Sequence, residues 1–335
     1  MNLSDLLDSV IETPVGSSFT RIGYDIRSRS DHWRSLDSYD LTDRTILVTG
    51  ATSGLGLSAC EQFARMGATL VLLGRDPTKT EGVAEKIRTL TNSGLVHPVV
   101  ADMGDLGQVR AAAARVREAV GHLDVLVHNA GALSARRFEN RDGIEQTVAS
   151  QVVGPFLLTQ LLRPMLRAHM SSRGAVVGLP GRVLTMSSGG MYTSKLRVDD
   201  LQMSHGAYKG AEQYARAKRA QVTLSEMWAE RVPREETVFH ALHPGWADTP
   251  GVEASLPTFR RIVGPLLRTP EQGADTLVWL AADDGAPLAS SGRFWLDRRP
   301  RAIHKLPSTK VSDTAQHRAE LWEWVEAASS SGPVA

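Results

Sequence analysis

Five β-prone residues, Thr45-Ile-Leu-Val-Thr49, run straight into Gly50-Ala51-Thr52-Ser53-Gly54-Leu55-Gly56. A helix-like stretch from Leu57 to Met66 follows and Gly67 ends it, before a second apolar run, Ala68-Thr-Leu-Val-Leu-Leu-Gly-Arg75. Strand, glycine turn, helix and strand in that order make a βαβ unit, and this constrains the fold more than any other stretch. Such a turn places backbone amides and a helix N-terminus where a dinucleotide pyrophosphate can sit. Glycine is required there because a Cβ would block the turn or hold the backbone away from the phosphates.

The alternation persists downstream. Leu95–Ala101, Leu123–His128, Val183–Met186, Thr237–Leu242 and Gly292–Leu296 read as further strands, giving seven in all. Helical stretches lie between them at Ala111–Val120, within Ile144–Leu166, from Gly210 onward and at Glu271–Ala281. The expected architecture is α/β: one doubly wound Rossmann-type domain with a mostly parallel seven-stranded sheet and helices on both faces. The expected organisation is an N-terminal arm over 1–42, a catalytic domain over 43–300 and a C-terminal extension with a helix over 301–335. With 42% hydrophobic and 22% charged residues, 335 residues suffice for a sizeable core. A net charge of +1 gives no electrostatic case for nucleic acid. One cysteine, Cys60, excludes an intramolecular disulfide framework and fits a reducing compartment. No metal-ligand cluster, spanning run of 18 apolar residues or secretory signal is visible, so the expected location is cytoplasmic.

The glycine spacing, Gly50-x-x-x-Gly54-x-Gly56 after Thr49, resembles the fingerprint of the short-chain dehydrogenase/reductase family. Further motifs fit the same resemblance: Asn129-Ala130-Gly131 after the fourth strand, Tyr214-Ala-Arg-Ala-Lys218, and Pro244-Gly245 with Thr249. The Ser187-Ser188-Gly189-Gly190 run and a long insert before Tyr214 are similar to the retinol-dehydrogenase-like branch. The resemblance covers about residues 43 to 300 and implies a carbonyl–alcohol oxidoreductase using a nicotinamide cofactor. It places the cofactor against Gly50, Thr52, Ser53, Gly54, Leu55, Gly56, Asp102, Met103, Asn129, Ala130, Gly131, Pro244, Gly245 and Thr249. By the same resemblance the Asp102 carboxylate lies beside the adenine amine and the Thr249 hydroxyl bonds the nicotinamide carboxamide.

Cofactor choice turns on the end of the second strand, Gly74-Arg75-Asp76. An arginine there can pair with a 2′-phosphate, whereas a carboxylate would accept from a free ribose 2′-hydroxyl. Arg75 is read as the phosphate ligand and Asp76 as a cap on the helix opened by Pro77, so NADP(H) is favoured over NAD(H).

Tyr214 and Lys218 are four residues apart in a proline-free helical stretch, so they share a face. A nearby ammonium favours the phenolate, and the expectation is a phenol acidified enough to exchange protons near neutrality. Both residues would also touch the cofactor. The family pattern puts the catalytic serine at Ser188, with Ser187 as runner-up, donating to the substrate oxygen as negative charge develops there. Where the family usually carries an asparagine behind the lysine, this chain has Gln151, a departure that bears on the proton relay. His240 and His243 are read as structural.

The arm contains Leu3, Leu6, Leu7, Val10 and Ile11 at helical spacing, then Phe19, Ile22, Tyr24 and Ile26. It is read as a packing arm, with membrane anchoring through Arg21, Arg27, Arg29 and Arg34 as the alternative. The insert from Met191 to Gln202 is placed at the substrate mouth, and Glu253–Leu267 as a cover fitting an apolar or bulky substrate. Phe156-Leu-Leu-Thr-Gln-Leu-Leu is apolar enough for burial or for a subunit interface, so a homodimer or homotetramer is admitted. Arg298-Arg-Pro-Arg is read as exposed linker, Ala315–Ala328 as a docked helix and Ser329–Ala335 as disordered. The alternatives to an NADP(H) enzyme are a dinucleotide-binding scaffold or sensor with vestigial chemistry, and an NAD-linked alcohol dehydrogenase.

Overall fold

The computed structural model describes residues 8, 12, 18–166, 169–170, 176–255 and 257–330. The expected helix on Leu3, Leu6, Leu7, Val10 and Ile11 lies outside these, as do residues 331–335. Ser329 and Ser330, expected to be disordered, instead close the last helix, where the buried Ser329 hydroxyl donates to Gln160 Oε1 at 3.3 Å.

The sheet has strands β1 (Thr45–Thr49), β2 (Thr69–Gly74), β3 (Val96–Val100), β4 (Val125–His128), β5 (Gly181–Met186), β6 (Thr237–Leu242), β7 (Arg293–Leu296) and β8 (Arg299–Arg301). Their order is β3-β2-β1-β4-β5-β6-β7-β8, parallel throughout except for the antiparallel β7–β8 pair. Strand order reverses beside β1, running β1-β2-β3 to one side and β4-β5-β6 to the other, which opens a crevice at the carboxyl ends of β1 and β4. Both sheet faces are covered, so β1, β5 and β6 are buried along their whole length rather than alternating.

The eighth strand corrects the seven-strand expectation. Arg298-Arg-Pro-Arg is no linker, because Asp297 and Arg298 take φ of 54° and 55° in a two-residue turn that folds the chain back on β7. Pro300 is tolerated because β8 is an edge strand. β5 also starts earlier than Val183. Arg182, one residue ahead of the expected strand, is a fully buried strand residue whose Nη1 donates to the carbonyls of Leu280, Ala281 and Asp283, capping the helix Pro270–Ala282.

The arm is a packing element in its described part. Helix α1 (Arg21–Ser30) turns Arg27 inward, where it is 1% exposed and bonds Asp8 at 2.7 Å and Asp297 at 2.6 Å. Arg301 bonds the same Asp8 at 2.6 Å, and Arg268 meets Asp297 at 2.6 Å. These arginines hold the carboxyls of Asp8 and Asp297 below the ordinary range, against a burial that pushes them up. Arg27 is therefore not available to a membrane surface.

Helix α2 (Gly54–Arg65) opens at the glycine turn, and α3 (Pro77–Thr91) and α4 (Leu106–Ala119) follow β2 and β3. The next helical run has a slip in its backbone pairing, with Gln146–Val148, a π-helical turn at Ala149–Val153, and then α5 (Gly154–Leu162). Helix α6 (Gly210–Arg231) is buried on all sides from Ala215 to Ser225, and α7 (Ala315–Ser330) closes the chain. The apolar face of α5 is covered by the chain itself. Trp322 of α7 meets Phe156 edge-on at 5.0 Å and Trp228 of α6 at 4.9 Å, while Leu321 and Val325 are fully buried. Leu321→Ala should cost about 2–5 kcal/mol in chemical denaturation, since it empties a sealed contact between α7 and the core.

Candidate active site

The carboxyl end of β1 delivers the glycine turn. Gly50 has φ of +67°, and a Cβ on it would lie 2.8 Å from the Ala130 Cα. A Cβ on Gly56 would overlap the Gly50 carbonyl oxygen and lie 2.5 Å from Asn129 Nδ2. Asn129 stitches β4 to this turn: its Nδ2 donates to Thr49 O at 3.0 Å and Gly50 O at 3.2 Å. The Asn129 and Ala130 amides both donate to Thr49 Oγ1 at 3.0 Å. Thr49 itself is thus a framework residue. Thr249, from the loop after β6, packs against the turn with its side chain 3.4 Å from where a Gly54 Cβ would stand. The result is a cradle of bare backbone at the N-terminus of α2, with Thr52, Ser53 and Leu55 completing its rim, and it suits a pyrophosphate.

At the end of β2, Asp76 caps α3 by accepting from the Lys79 amide at 2.9 Å, with Pro77 opening the helix. Arg75 beside it is exposed and makes no ion pair among the described residues. Asp102 accepts from the Gly104 amide at 2.8 Å through Oδ1, which leaves its other oxygen free of that turn, and Met103 is buried.

Tyr214 and Lys218 lie on the face of α6 turned toward this crevice. The Ser188 hydroxyl lies beside the Tyr214 phenol, where it favours the phenolate, and accepts from the Gly190 amide at 3.2 Å. Ser187 is buried and spends its hydroxyl on the Lys218 carbonyl at 3.1 Å, so it faces away from the phenol. Lys218 Nζ donates to Met186 O at 2.9 Å and stands 5.2 Å from the Tyr214 ring centroid. A Cβ on Gly131 would sit 3.0 Å from Gln151 Oε1 and 3.4 Å from Lys218 Nζ, so these two groups converge behind Gly131. Gln151 Nε2 donates to Ala132 O at 2.8 Å, its Oε1 has no hydrogen-bond partner among the described residues, and its own carbonyl accepts from Gln221 Nε2 at 2.6 Å. Gln151 lies buried within the π-helical turn, and such slips often mark functional positions.

Electrostatics here differ from the sequence-based expectation. The Tyr214 phenol is pushed up to about 12 by burial, with Ser188 opposing, and the Lys218 ammonium is pushed down to about 7 by burial. Desolvation outweighs the attraction that would acidify the phenol.

Pro244 and Gly245 follow β6. Gly245 has φ of +74° and no room for a Cβ beside the Arg268 guanidinium, whose Nη1 donates to Pro244 O at 3.3 Å. His240 is structural, its Nδ1 accepting from the Arg293 amide at 3.2 Å. The insert packs inward more than a mouth would require: Met191, Tyr192, Leu196 and Leu201 are buried, and Arg219 donates to the carbonyls of Met191 and Ser194. Sequence reasoning missed Glu145, fully buried, whose carboxylate accepts from the Thr147 and Val148 amides, Tyr208 Oη and Gln213 Nε2. It ties the insert to α6 one residue before Tyr214. Only the capping role of a glutamate ahead of a helix was available as a signal. In the cover, Ile262 is 73% exposed while Phe259 packs on Trp246 at 5.1 Å.

Among the described residues no helix is long and apolar enough to cross a membrane, and no group of His, Cys, Asp and Glu could hold a metal ion. The short chain dehydrogenase family profile matches residues 44–194. Dehydrogenase/reductase SDR family member 12 of Homo sapiens is 35% identical over 309 residues, 92% of this chain and 93% of that one. The chain belongs to the short-chain dehydrogenase/reductase family. As a member it is an NAD(P)-dependent oxidoreductase. Polyprenol dehydrogenase of Mus musculus is 35% identical over 71% of both chains. A crystal structure from Escherichia coli CFT073, complexed with NADPH, superposes with a TM-score of 0.61 at 25% identity, over 79% of this chain and all of that one.

Proposed function

We propose that this short-chain dehydrogenase/reductase is NADP(H)-dependent and interconverts a carbonyl and an alcohol on an apolar or bulky substrate. The observation that carries the reading is the convergence of Ser188, Tyr214 and Lys218 on one side of the glycine cradle. Gly50, Gly54, Gly56, Asn129, Ala130, Gly131 and Thr249 hold the cofactor, which supplies the hydride when bound. In reduction Tyr214 donates its phenolic proton to the substrate oxygen. Ser188 donates a hydrogen bond to that oxygen, polarising the carbonyl. Lys218 holds the nicotinamide ribose, and Gln151 lies behind it as the relay contact in place of an asparagine. A phenol near 12 is fully protonated at neutral pH, which suits an acid in the reducing direction.

The 2′-phosphate preference is supported by the division of labour after β2, where Asp76 is engaged as a cap and Arg75 is unengaged. The exposed apolar residues of the cover, and a relative named for polyprenol, support a bulky substrate. A cytoplasmic location belongs to the same reading, supported by a sequence with a single cysteine and so no intramolecular disulfide. The test is NADPH consumption across a panel of apolar ketones and aldehydes, alongside Arg75→Ala. NADPH affinity should fall roughly 10–100-fold and NADH affinity stay put, the size of a lost charge-assisted contact to phosphate. An unchanged NADPH dissociation constant removes Arg75 as the ligand, and no turnover on any carbonyl removes the reductase assignment.

A further inference from the structure

The residue after Ser188 is gripped by a part of the chain far from it in sequence. The Gly189 amide donates to His243 Nδ1 at 3.2 Å. An acceptor at Nδ1 fixes the ring as neutral with its proton on Nε2, in keeping with a burial that pushes His243 down to about 3. His243 is 2% exposed, and its Nε2 has no hydrogen-bond partner among the described residues. What lies against the ring instead is Phe19 of the arm, edge-on with centroids 4.3 Å apart. Gly189 touches both: a Cβ there would stand 2.8 Å from Phe19 Cε2 and 2.9 Å from His243 Nε2.

Phe19 is itself held firmly. Its carbonyl accepts from the Trp246 amide at 2.7 Å and from Arg268 Nε at 3.1 Å, so the arm pairs with the loop that carries Thr249. Its ring also meets Trp246 edge-on at 5.9 Å. The arm thus reaches the serine turn from below through one aromatic ring.

We propose that Phe19, acting through His243, is a positioning residue for Ser188, so that the N-terminal arm sets the geometry of the hydroxyl that polarises the substrate. This rests on the reading of Ser188 given above. A catalytic donor displaced by about an ångström can lose on the order of a hundredfold in rate, so a side chain outside the pocket can govern turnover.

A double-mutant cycle on the full chain tests it. Phe19→Ala lowers kcat about tenfold while the NADPH dissociation constant stays within about twofold, and in a Ser188→Ala background the same change lowers kcat less than twofold. His243→Leu repeats this pattern, whereas His243→Asn, which keeps an acceptor for the Gly189 amide, retains kcat within about threefold. Should Phe19→Ala fail to fold, the His243 pair reads the same coupling. Effects of Phe19 and Ser188 that multiply, or an unchanged kcat in Phe19→Ala and His243→Leu, overturn the proposal. A Ser188→Ala enzyme with parental kcat overturns the catalytic assignment of Ser188 and this inference with it, and is a distinct result.

Discussion

Tyr214→Phe lowers the turnover of carbonyl reduction by about two to four orders of magnitude and leaves the NADPH dissociation constant within about threefold of the parent. The substitution deletes one oxygen from a residue whose ring packing is otherwise preserved. That oxygen stands beside the Ser188 hydroxyl and is the group proposed as the acid. The framework around the glycine turn, from Thr49 to Asn129, which is proposed to hold the dinucleotide, does not involve it. Turnover and cofactor affinity must therefore separate. Stopped-flow turnover beside a fluorescence titration with NADPH reads both, and near-parental turnover in the variant ends the assignment of Tyr214 as the acid.

Lys218→Met is the second large effect, and it moves activity and stability in opposite directions. Turnover should fall by at least about two orders of magnitude, with weaker NADPH binding as the ribose contact is lost. Stability should rise. Burial lowers the Lys218 ammonium from 10.5 to about 7, so between those values the unfolded chain holds a proton that the folded one does not. The cost of burying the charge is fully present below pH 7, shrinks as pH rises, and is gone above about pH 10. The methionine, similar in volume and uncharged, escapes that cost, and the gain is on the order of a few kcal/mol at pH 6, offset by the lost bond to Met186 O. Thermal unfolding at pH 6 and pH 10 decides it. A variant less stable than the parent at both would mean that Lys218 is held without penalty.

Much of this was legible in the residues because the relevant signals are local. A β-prone run before glycine, an Asn-Ala-Gly turn and a Pro after Asp76 each dictate backbone shape over four or five positions, and the structure places them as read. The family pattern prefers Ser188 over Ser187, and direction adds to it: one hydroxyl lies beside the phenol and the other meets the Lys218 carbonyl. What escaped depends on partners distant in sequence. Arg298-Arg-Pro-Arg looks solvated on its own, yet Arg301 finds Asp8 across nearly the whole chain and Arg298 finds Asp275. Arg182 falls just outside the expected strand, and its role is visible only with the end of the helix Pro270–Ala282 beside it. The acidified phenol failed for another reason, because spacing gives the proximity of an ammonium but not the loss of water around it.

The carboxylate of Asp297 sits at the tip of a hairpin made of residues that take positive φ, sealed from solvent and answered by Arg27 on one side and Arg268 on the other. Trimming the protein to the segment that begins at its first strand would remove one of those two guanidinium groups and the ring that abuts the serine turn. The shortened chain would keep every fingerprint residue yet leave Arg268 alone to answer a fully enclosed carboxylate. For anyone cutting this enzyme down for crystallography or fusion, the sensible border therefore lies well upstream of where the recognisable motifs start.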